Sequence, residues 1–398
     1  MLTYLGIAAG HVRGTGLGRT GICLIGAIAM LTFGVLTMDQ AVDTVHYPAI
    51  LMLFGLFIVS AQLRLAGFYR WMAQLIAKFL DHPARFLLLL MLTSGGLSAF
   101  LNNDIVCAAF TPVVTLALLK KRINPIPFLV ALALSSNIGC AATFIGNAQN
   151  ILVGQVAHLS FGGYMAFALP PVTASLLAGY LIIWFMCRNH LVLVGVSTPP
   201  DTADDLRPVN HGQTIKGLVV LIILTILYFT SLPRDIVTLT AAAILLTSSR
   251  MTSKNILALI DWEVILLFIS LFVVVGAFER SGYGHQALQW MTVHGYHLQN
   301  PVELALMTGV LSNLLNNSAA VMLLVNMVDF SNPVLGYVLA LANALCGNLV
   351  IIGSVASIIV VKLARDLNVE ISFWTFARYG VPVTVASFLL LCGWTLIF

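Results

Sequence analysis

Four stretches of the chain, Gly21 to Thr37, Ile50 to Leu63, Leu218 to Phe229 and Val264 to Ala277, contain no charged side chain at all. No other feature constrains the fold as strongly, because such runs approach the roughly 20 apolar residues needed to cross about 30 Å of hydrocarbon. The shorter runs predict tilted or partial spans beside full ones. Composition agrees: of 398 residues 60% are hydrophobic and 9% charged, whereas soluble domains carry about 25% charged residues. The chain is read as an all-α integral membrane protein whose solvent is the lipid bilayer.

The net charge of +4 does not point to nucleic acid, because the basic residues form short clusters between apolar segments, where they act as topology signals. Lys120–Arg122 is read as such an anchor. The cysteines Cys23, Cys107, Cys140, Cys187, Cys346 and Cys392 are widely spaced in apolar surroundings, without a CxxC or Cys/His pattern, and are read as reduced packing residues. The nine histidines fall near loops. The N-terminal run Leu2 to Ala9 is too short to span and lacks a basic leader, so no cleaved signal peptide is expected.

Two of the longer apolar regions are interrupted by paired asparagines, in LSAFLNND (Leu97–Asp104) and LSNLLNNS (Leu311–Ser318), 214 residues apart. The match is one of four in the same order. Phe57–Gly67 aligns with Phe272–Gly282, Thr143–Ala157 with Val350–Ala364, and Ser160–Thr173 resembles Ser372–Thr384, at offsets between 207 and 215. The chain is therefore divided into a first membrane repeat (1–190), a cytoplasmic linker (191–215) and a second membrane repeat (216–398). When apolar segments are threaded alternately across the bilayer, 17 of the 19 Lys and Arg residues fall on one face, which the positive-inside rule makes cytoplasmic. Under that threading each asparagine pair tips a re-entrant helical hairpin, and the hairpins open on opposite faces. That arrangement defines an inverted-topology repeat.

Irregular backbone at membrane depth survives only where protein or a wet cavity satisfies it. Asparagine at a hairpin tip meets this demand as an N-cap, and the helix behind it turns a partly positive N-terminus toward the midplane. Each repeat also contains a crossing that reads as broken, SSNIGCAATFIGNAQN (Ser135–Asn150) and NALCGNLVIIGSVAS (Asn343–Ser357), since Gly and Asn are costly in helix interiors; glycines can alternatively serve close helix packing. Candidate cargo and ion ligands are accordingly Asn102, Asn103 and Asp104 at the first tip, and Ser136, Asn137, Gly139, Thr143, Gly146, Asn147 and Asn150 at the first break. In the second repeat they are Asn316, Asn317 and Ser318 at the tip, and Asn343, Gly347, Asn348, Gly353 and Ser354 at the break. A Na+ ion is expected at Asn102, Asn103, Asn137 and Gly146. Of the acidic residues, Asp104 alone falls deep in this threading, the others at loops or segment ends. A carboxylate at that depth is expensive unless it works, here by carrying a proton or binding a cation; the plainer reading is a cap on its own helix.

The elements FLNNDIVCAAFTPVV and ALSSNIGCAATFIGNAQNILVG resemble the ion transporter superfamily, in its arsenite-permease and citrate-transporter-like branch, which also includes the melanosomal P protein. Asn103, Asp104, Thr111 and Pro112 match its first motif. Ser136, Asn137, Ile138, Gly139, Thr143, Ile145, Gly146, Asn150 and Ile151 match the second, with Cys140 replacing a glycine. The resemblance runs through both repeats and implies paired hairpins and broken helices, a homodimer, elevator-like alternating access and coupling to Na+ or H+. The Ser-Asn-Thr tips of the more distant dicarboxylate branch are absent, and the family's first helix is shortened to Met1–Gly10.

These readings lead to an ion-coupled secondary transporter of a small inorganic or organic anion or oxyanion, in the inner membrane of a bacterium, with no cofactor. The alternatives are a Na+/H+ antiporter working through Asp104, an arsenite or other metalloid efflux permease with Cys107, Cys140 and Cys346 near the site, and an anion channel. An intramembrane enzyme lacks support, since no HExxH, GxSxG or second deep carboxylate occurs. The P-loop pattern is also missing, so ATP-driven pumping would require a separate ATPase subunit.

Overall fold

A computed structural model describes residues 3, 6, 17–189, 191, 209–247 and 252–397. Most of the short N-terminal segment and residues 192–208 of the expected linker lie outside the described residues. Within them the chain is all-α. Its helices are α1 (Arg19–Thr32), α2 (Met38–Thr44), α3 (Tyr47–Leu65), α4 (Phe68–Ala77), α5 (Pro83–Phe100), α6 (Asn103–Lys120), α7 (Ile126–Cys140), α8 (Ala148–Val156) and α9 (Phe161–Cys187). There follow α10 (His211–Leu227), α11 (Arg234–Leu246), α12 (Ser253–Leu257), α13 (Trp262–Arg280), α14 (Tyr283–Val293), α15 (Pro301–Leu315), α16 (Asn317–Val325), α17 (Pro333–Cys346), α18 (Val355–Asp366) and α19 (Phe373–Ile397). Helices α3, α5, α6, α9, α13 and α19 are long and apolar enough to cross a membrane. Leu177, Phe185, Ile222, Ile226 and Leu389 project outward from α9, α10 and α19, as lipid-facing side chains do. Helix α10 begins at His211, inside the expected linker.

The asparagine pairs turn the chain with almost no loop. Only Leu101 and the cap residue Asn102 separate α5 from α6, and the side-chain oxygen of Asn102 accepts from the amides of Asp104 at 2.8 Å and Ile105 at 3.2 Å. Between α15 and α16 stands Asn316 alone, at φ 108° and ψ 147°, a positive-φ backbone that residues other than glycine rarely adopt; its oxygen accepts from Ser318 N at 3.1 Å. Asn102 thus caps α6, and Asp104 lies two positions inside the helix. The plainer reading of Asp104 as the cap does not hold.

Both expected breaks are present. Residues 141–147 separate α7 from α8, and 347–354, including a 3-10 turn at Ile351–Gly353, separate α17 from α18. In the first break Asn150 Nδ2 reaches Cys140 O at 3.3 Å and Thr143 O at 3.4 Å, Tyr164 OH donates to Ala141 O at 2.8 Å, and the Thr143 hydroxyl donates to Ala99 O. The carbonyls of Cys140, Ala141 and Thr143 are thereby bonded within the protein, as the hydrocarbon requires. Gly139, expected among the unwound residues, instead lies within α7. A Cβ there would collide with the backbone of Gly95 on α5, so the missing side chain lets two helices touch. At Gly146 a Cβ would meet the carbonyls of Cys140 and Ser98. Close packing, which competed with unwinding in the sequence, is what Gly139 serves, whereas Gly146 lies in the unwound stretch as expected.

Sequence-matched residues also make matched contacts. Gly67 and Gly282 both have positive φ, 84° and 78°, and each ends a long helix and starts a shorter one that the apolar pattern did not reveal, α4 and α14. The Ser98–Ser136 hydroxyl pair at 2.6 Å is answered by Ser312 donating to Asn343 Oδ1 at 3.1 Å. Helices are exchanged between the halves: α1 packs on α13 and α3 on α11, α6 on α18 and α16 on α8, α9 on α19. The two halves of the sequence are therefore not separate bodies, and the core runs through both.

Candidate functional site

Where the exchanged helices meet there is a cavity of about 550 Å³. The helices behind both tips and both breaks bring their N-termini to its wall: α6 with Asn102, Asn103 and Asp104, α16 with Asn316, Asn317 and Ser318, α8 with Asn147, Ala148 and Gln149, and α18 with Ser354 and Val355. Three of them, α6, α8 and α16, are capped by asparagines that interrupt the apolar pattern, so capping positions those side chains. Asn147, for example, has extended backbone and accepts from Asn150 N at 2.7 Å.

A chain of buried amides ties the two halves together beneath the cavity floor. Asn103 Nδ2 donates to Asn137 Oδ1 at 3.1 Å, Asn137 Nδ2 to Asn348 Oδ1 at 3.0 Å, and Asn348 Nδ2 to Leu134 O at 3.2 Å; Ser354 Oγ adds a bond to Asn137 Oδ1 at 2.9 Å. Asn137 joins the first tip, the first broken helix and the second break. On the opposite side Gln149 Nε2 donates to Ser318 Oγ at 2.7 Å. Satisfied networks of this kind stiffen a low-dielectric interior.

The sequence-derived candidates therefore divide. Asn102, Asn103, Asp104, Asn137, Asn147, Asn316, Asn317, Ser318, Gly353 and Ser354 line the cavity. Ser136, Gly139, Thr143, Gly146, Asn150, Asn343, Gly347 and Asn348 stand behind it and hold the wall. The four residues expected around Na+ do not converge as free oxygens, since those of Asn102 and Asn137 already accept from N–H or O–H donors and Gly146 lies outside the lining. Among the acceptors in the lining that no described donor reaches are Asn103 Oδ1, the Asp104 carboxylate and Gln149 Oε1.

The lining also includes Arg19 and Thr20 from α1, Asp261 and Glu263 at the start of α13, Cys140 and Gln149. Asp104 is thus not the lone carboxylate of the site, as the threading expected. Thr20 Oγ1 donates to Glu263 Oε1 at 3.2 Å, and Asp261 caps α13 by accepting from Val264 N at 3.1 Å. Burial pushes the Asp261 carboxyl above its ordinary range, against the pull of the amide it caps. In sequence Asp261 and Glu263 looked like ordinary helix-start residues, and only the packing of α13 on α1 brings them to the cavity. Its charged side chains are three carboxylates and one guanidinium.

A family model described as citrate transporter matches residues 5–345. The 46 kDa membrane protein of Mycobacterium leprae is 28% identical, over 97% of this chain and 94% of its own length. The inner membrane protein YbiR of Escherichia coli is 28% identical over 90% and 89%. The silicon efflux transporter LSI3 of Oryza sativa is 23% identical over 93% and 90%. Among solved structures the Alcanivorax borkumensis YdaH transporter superposes with a TM-score of 0.55 at 15% identity, over all of this chain and 95% of that one; this likeness concerns the fold alone.

Proposed function

Since the chain belongs to the citrate transporter family, we propose that this integral membrane protein is a secondary transporter driven by Na+ or H+, moving a small oxyacid or its anion by alternating access. One observation carries the reading: both hairpin tips and both helix breaks contribute to a single cavity, which is where an inverted-repeat transporter holds its cargo. Inversion is supported by the odd number of crossings in the threading between the matched glycines Gly67 and Gly282. In the same threading Arg19, Asp261 and Glu263 fall near the cytoplasmic face, so the cavity extends toward that side. The E. coli relative is an inner membrane protein by name, which supports the same membrane for this chain.

The charges narrow the cargo. Three carboxylates against one arginine disfavour a multiply charged anion travelling alone, because desolvated like charges repel strongly. Amides and hydroxyls, donors and acceptors together, suit a hydroxylated acid that brings its own protons or an anion accompanied by a cation. The rice relative's name, silicon efflux transporter, supports the first form. The same carboxylates favour Na+/H+ antiport as the second reading. Metalloid binding by Cys140 finds less support, because its sulfur already accepts from Asn147 Nδ2 at 3.1 Å and donates to Asn137 O at 3.2 Å.

The test is reconstitution into proteoliposomes with silicic acid, arsenite and citrate as probes under imposed Na+ or pH gradients. Uptake and counterflow of at least one probe should saturate and follow the gradient. Gradient-driven exchange of Na+ for H+ without any probe would move the assignment to antiport, and a passive, non-saturating current would overturn it.

A further inference from the structure

Each helix behind a tip or a break follows a cap position, and two residues on stand Asp104 on α6, Gln149 on α8 and Ser318 on α16, all in the cavity lining, and Ala356 on α18. By the repeat, Asp104 is the mate of Ser318 and Gln149 the mate of Ala356. Helix α8 packs on α16 as α18 packs on α6. The backbones thus repeat while the chemistry does not. Gln149 Nε2 donates to Ser318 Oγ at 2.7 Å, but on the equivalent side the mate of that donor is a fully buried alanine methyl, and no described donor reaches Asp104.

We infer that the two tips do different work: the first takes up the coupling cation on Asp104, while the second, with Ser318 held by Gln149, contacts cargo only. Gln149 is the positioning residue that fixes this division. Once its Nε2 is committed to Ser318, its Oε1 is the face offered to the cavity, an acceptor matched to an O–H on the cargo. Asp104, in contrast, is reached by no described donor, and Asp261 from α13 lines the same cavity. Glu263 and Arg19 share the cavity. With a second carboxylate as neighbour, a cation is what lowers the energy of that wall. The inference rests on the transporter reading and adds that a chain of two repeats carries a single ion-binding carboxylate, at the first tip.

The experiment compares wild type, Asp104→Asn, Asp104→Ser, Gln149→Ala, Ser318→Ala and the Gln149→Ala/Ser318→Ala double variant in proteoliposomes, using whichever of silicic acid, arsenite or citrate the wild type accumulates. Melting in detergent establishes that each variant is folded. Both Asp104 variants should lose accumulation driven by the Na+ or pH gradient while exchanging labelled for unlabelled probe by counterflow. Gln149→Ala and Ser318→Ala should each raise the half-saturation concentration about 2- to 10-fold, the worth of one neutral hydrogen bond, with gradient dependence kept, and the double variant should be no worse than either single one. Gradient-driven accumulation in Asp104→Asn and Asp104→Ser, or its loss in Gln149→Ala at unchanged half-saturation, would overturn the division while leaving the transporter reading intact. Passive, non-saturating flux in the wild type would remove both.

Discussion

Replacing Gly139 by alanine tests the contact on which the geometry of the first tip depends. The new methyl carbon would lie less than 3.0 Å from backbone atoms of Gly95, where ordinary contact begins at 3.4 Å, so α5 and α7 must part by at least 0.4 Å. Backbone cannot swing aside as a flexible side chain would. Two buried hydroxyl pairs span the same helices, Ser94–Ser135 at 2.7 Å and Ser98–Ser136 at 2.6 Å, and both stretch when the helices separate. Overpacking costs about 1–3 kcal/mol and the two weakened bonds about 0.5–1.5 kcal/mol each, so Gly139→Ala should destabilise the fold by about 2–6 kcal/mol. Gly96 is the internal control. It sits on α5 beside Gly95, but a Cβ there meets nothing within 4 Å, and Gly96→Ala should stabilise by about 0.5–1 kcal/mol through helix propensity alone. Thermal unfolding of both variants in detergent, followed by size-exclusion chromatography, reads the difference directly. If Gly139→Ala melts with the wild type, the helices do not touch through this glycine and the packing argument fails.

Other consequences follow from the same contacts. Asn348→Ala removes the partner of Asn137 Nδ2 beneath the cavity and should cost about 1–3 kcal/mol of stability and weaken probe binding; unchanged melting and half-saturation would show that the amide chain does not brace the site. Asp261→Asn keeps a competent cap and removes a charge that burial disfavours. Because the folded-state pKa is raised, the contribution of Asp261 to stability is full below the unfolded pKa and lost as pH rises through the folded one. The variant should therefore melt higher than wild type at neutral pH and alike at acidic pH, and a constant difference across the titration would refute this. Lys121 holds Asp81 at 2.7 Å on an exposed surface and keeps that carboxyl below its ordinary range, yet Lys121→Met should leave melting at neutral pH unchanged, since solvent screens such pairs.

Much of this protein was legible before any fold was known, and the reason is local. Asn102, Asn147 and Asn316 cap the helices that follow them because a helix N-terminus leaves free amides wherever it lies, and in lipid those amides have no water to turn to. The matched glycines Gly67 and Gly282 mark left-handed turns for a similarly local cause. Gly139 shows the limit of such reasoning: the same residue type permits unwinding or close approach, and only the presence of Gly95 across the interface decides which. Helices α4 and α14 escaped the apolar pattern because neither is a long uncharged run.

From its sequence alone the chain determined its solvent and the four places where regular helix stops, since each follows from periodicity, hydropathy or the bonding needs of one turn. Tertiary structure decided which of the polar residues face a common space. It sent Asn150, Asn343 and Asn348 into the supporting wall, drew Arg19, Asp261 and Glu263 to the cavity from segment ends remote in sequence, and joined Gln149 to Ser318 across the repeats while bringing no described donor to Asp104. Such pairings arise where one half packs against the other, and a side chain's partner across an interface is fixed by the position of a backbone hundreds of residues away.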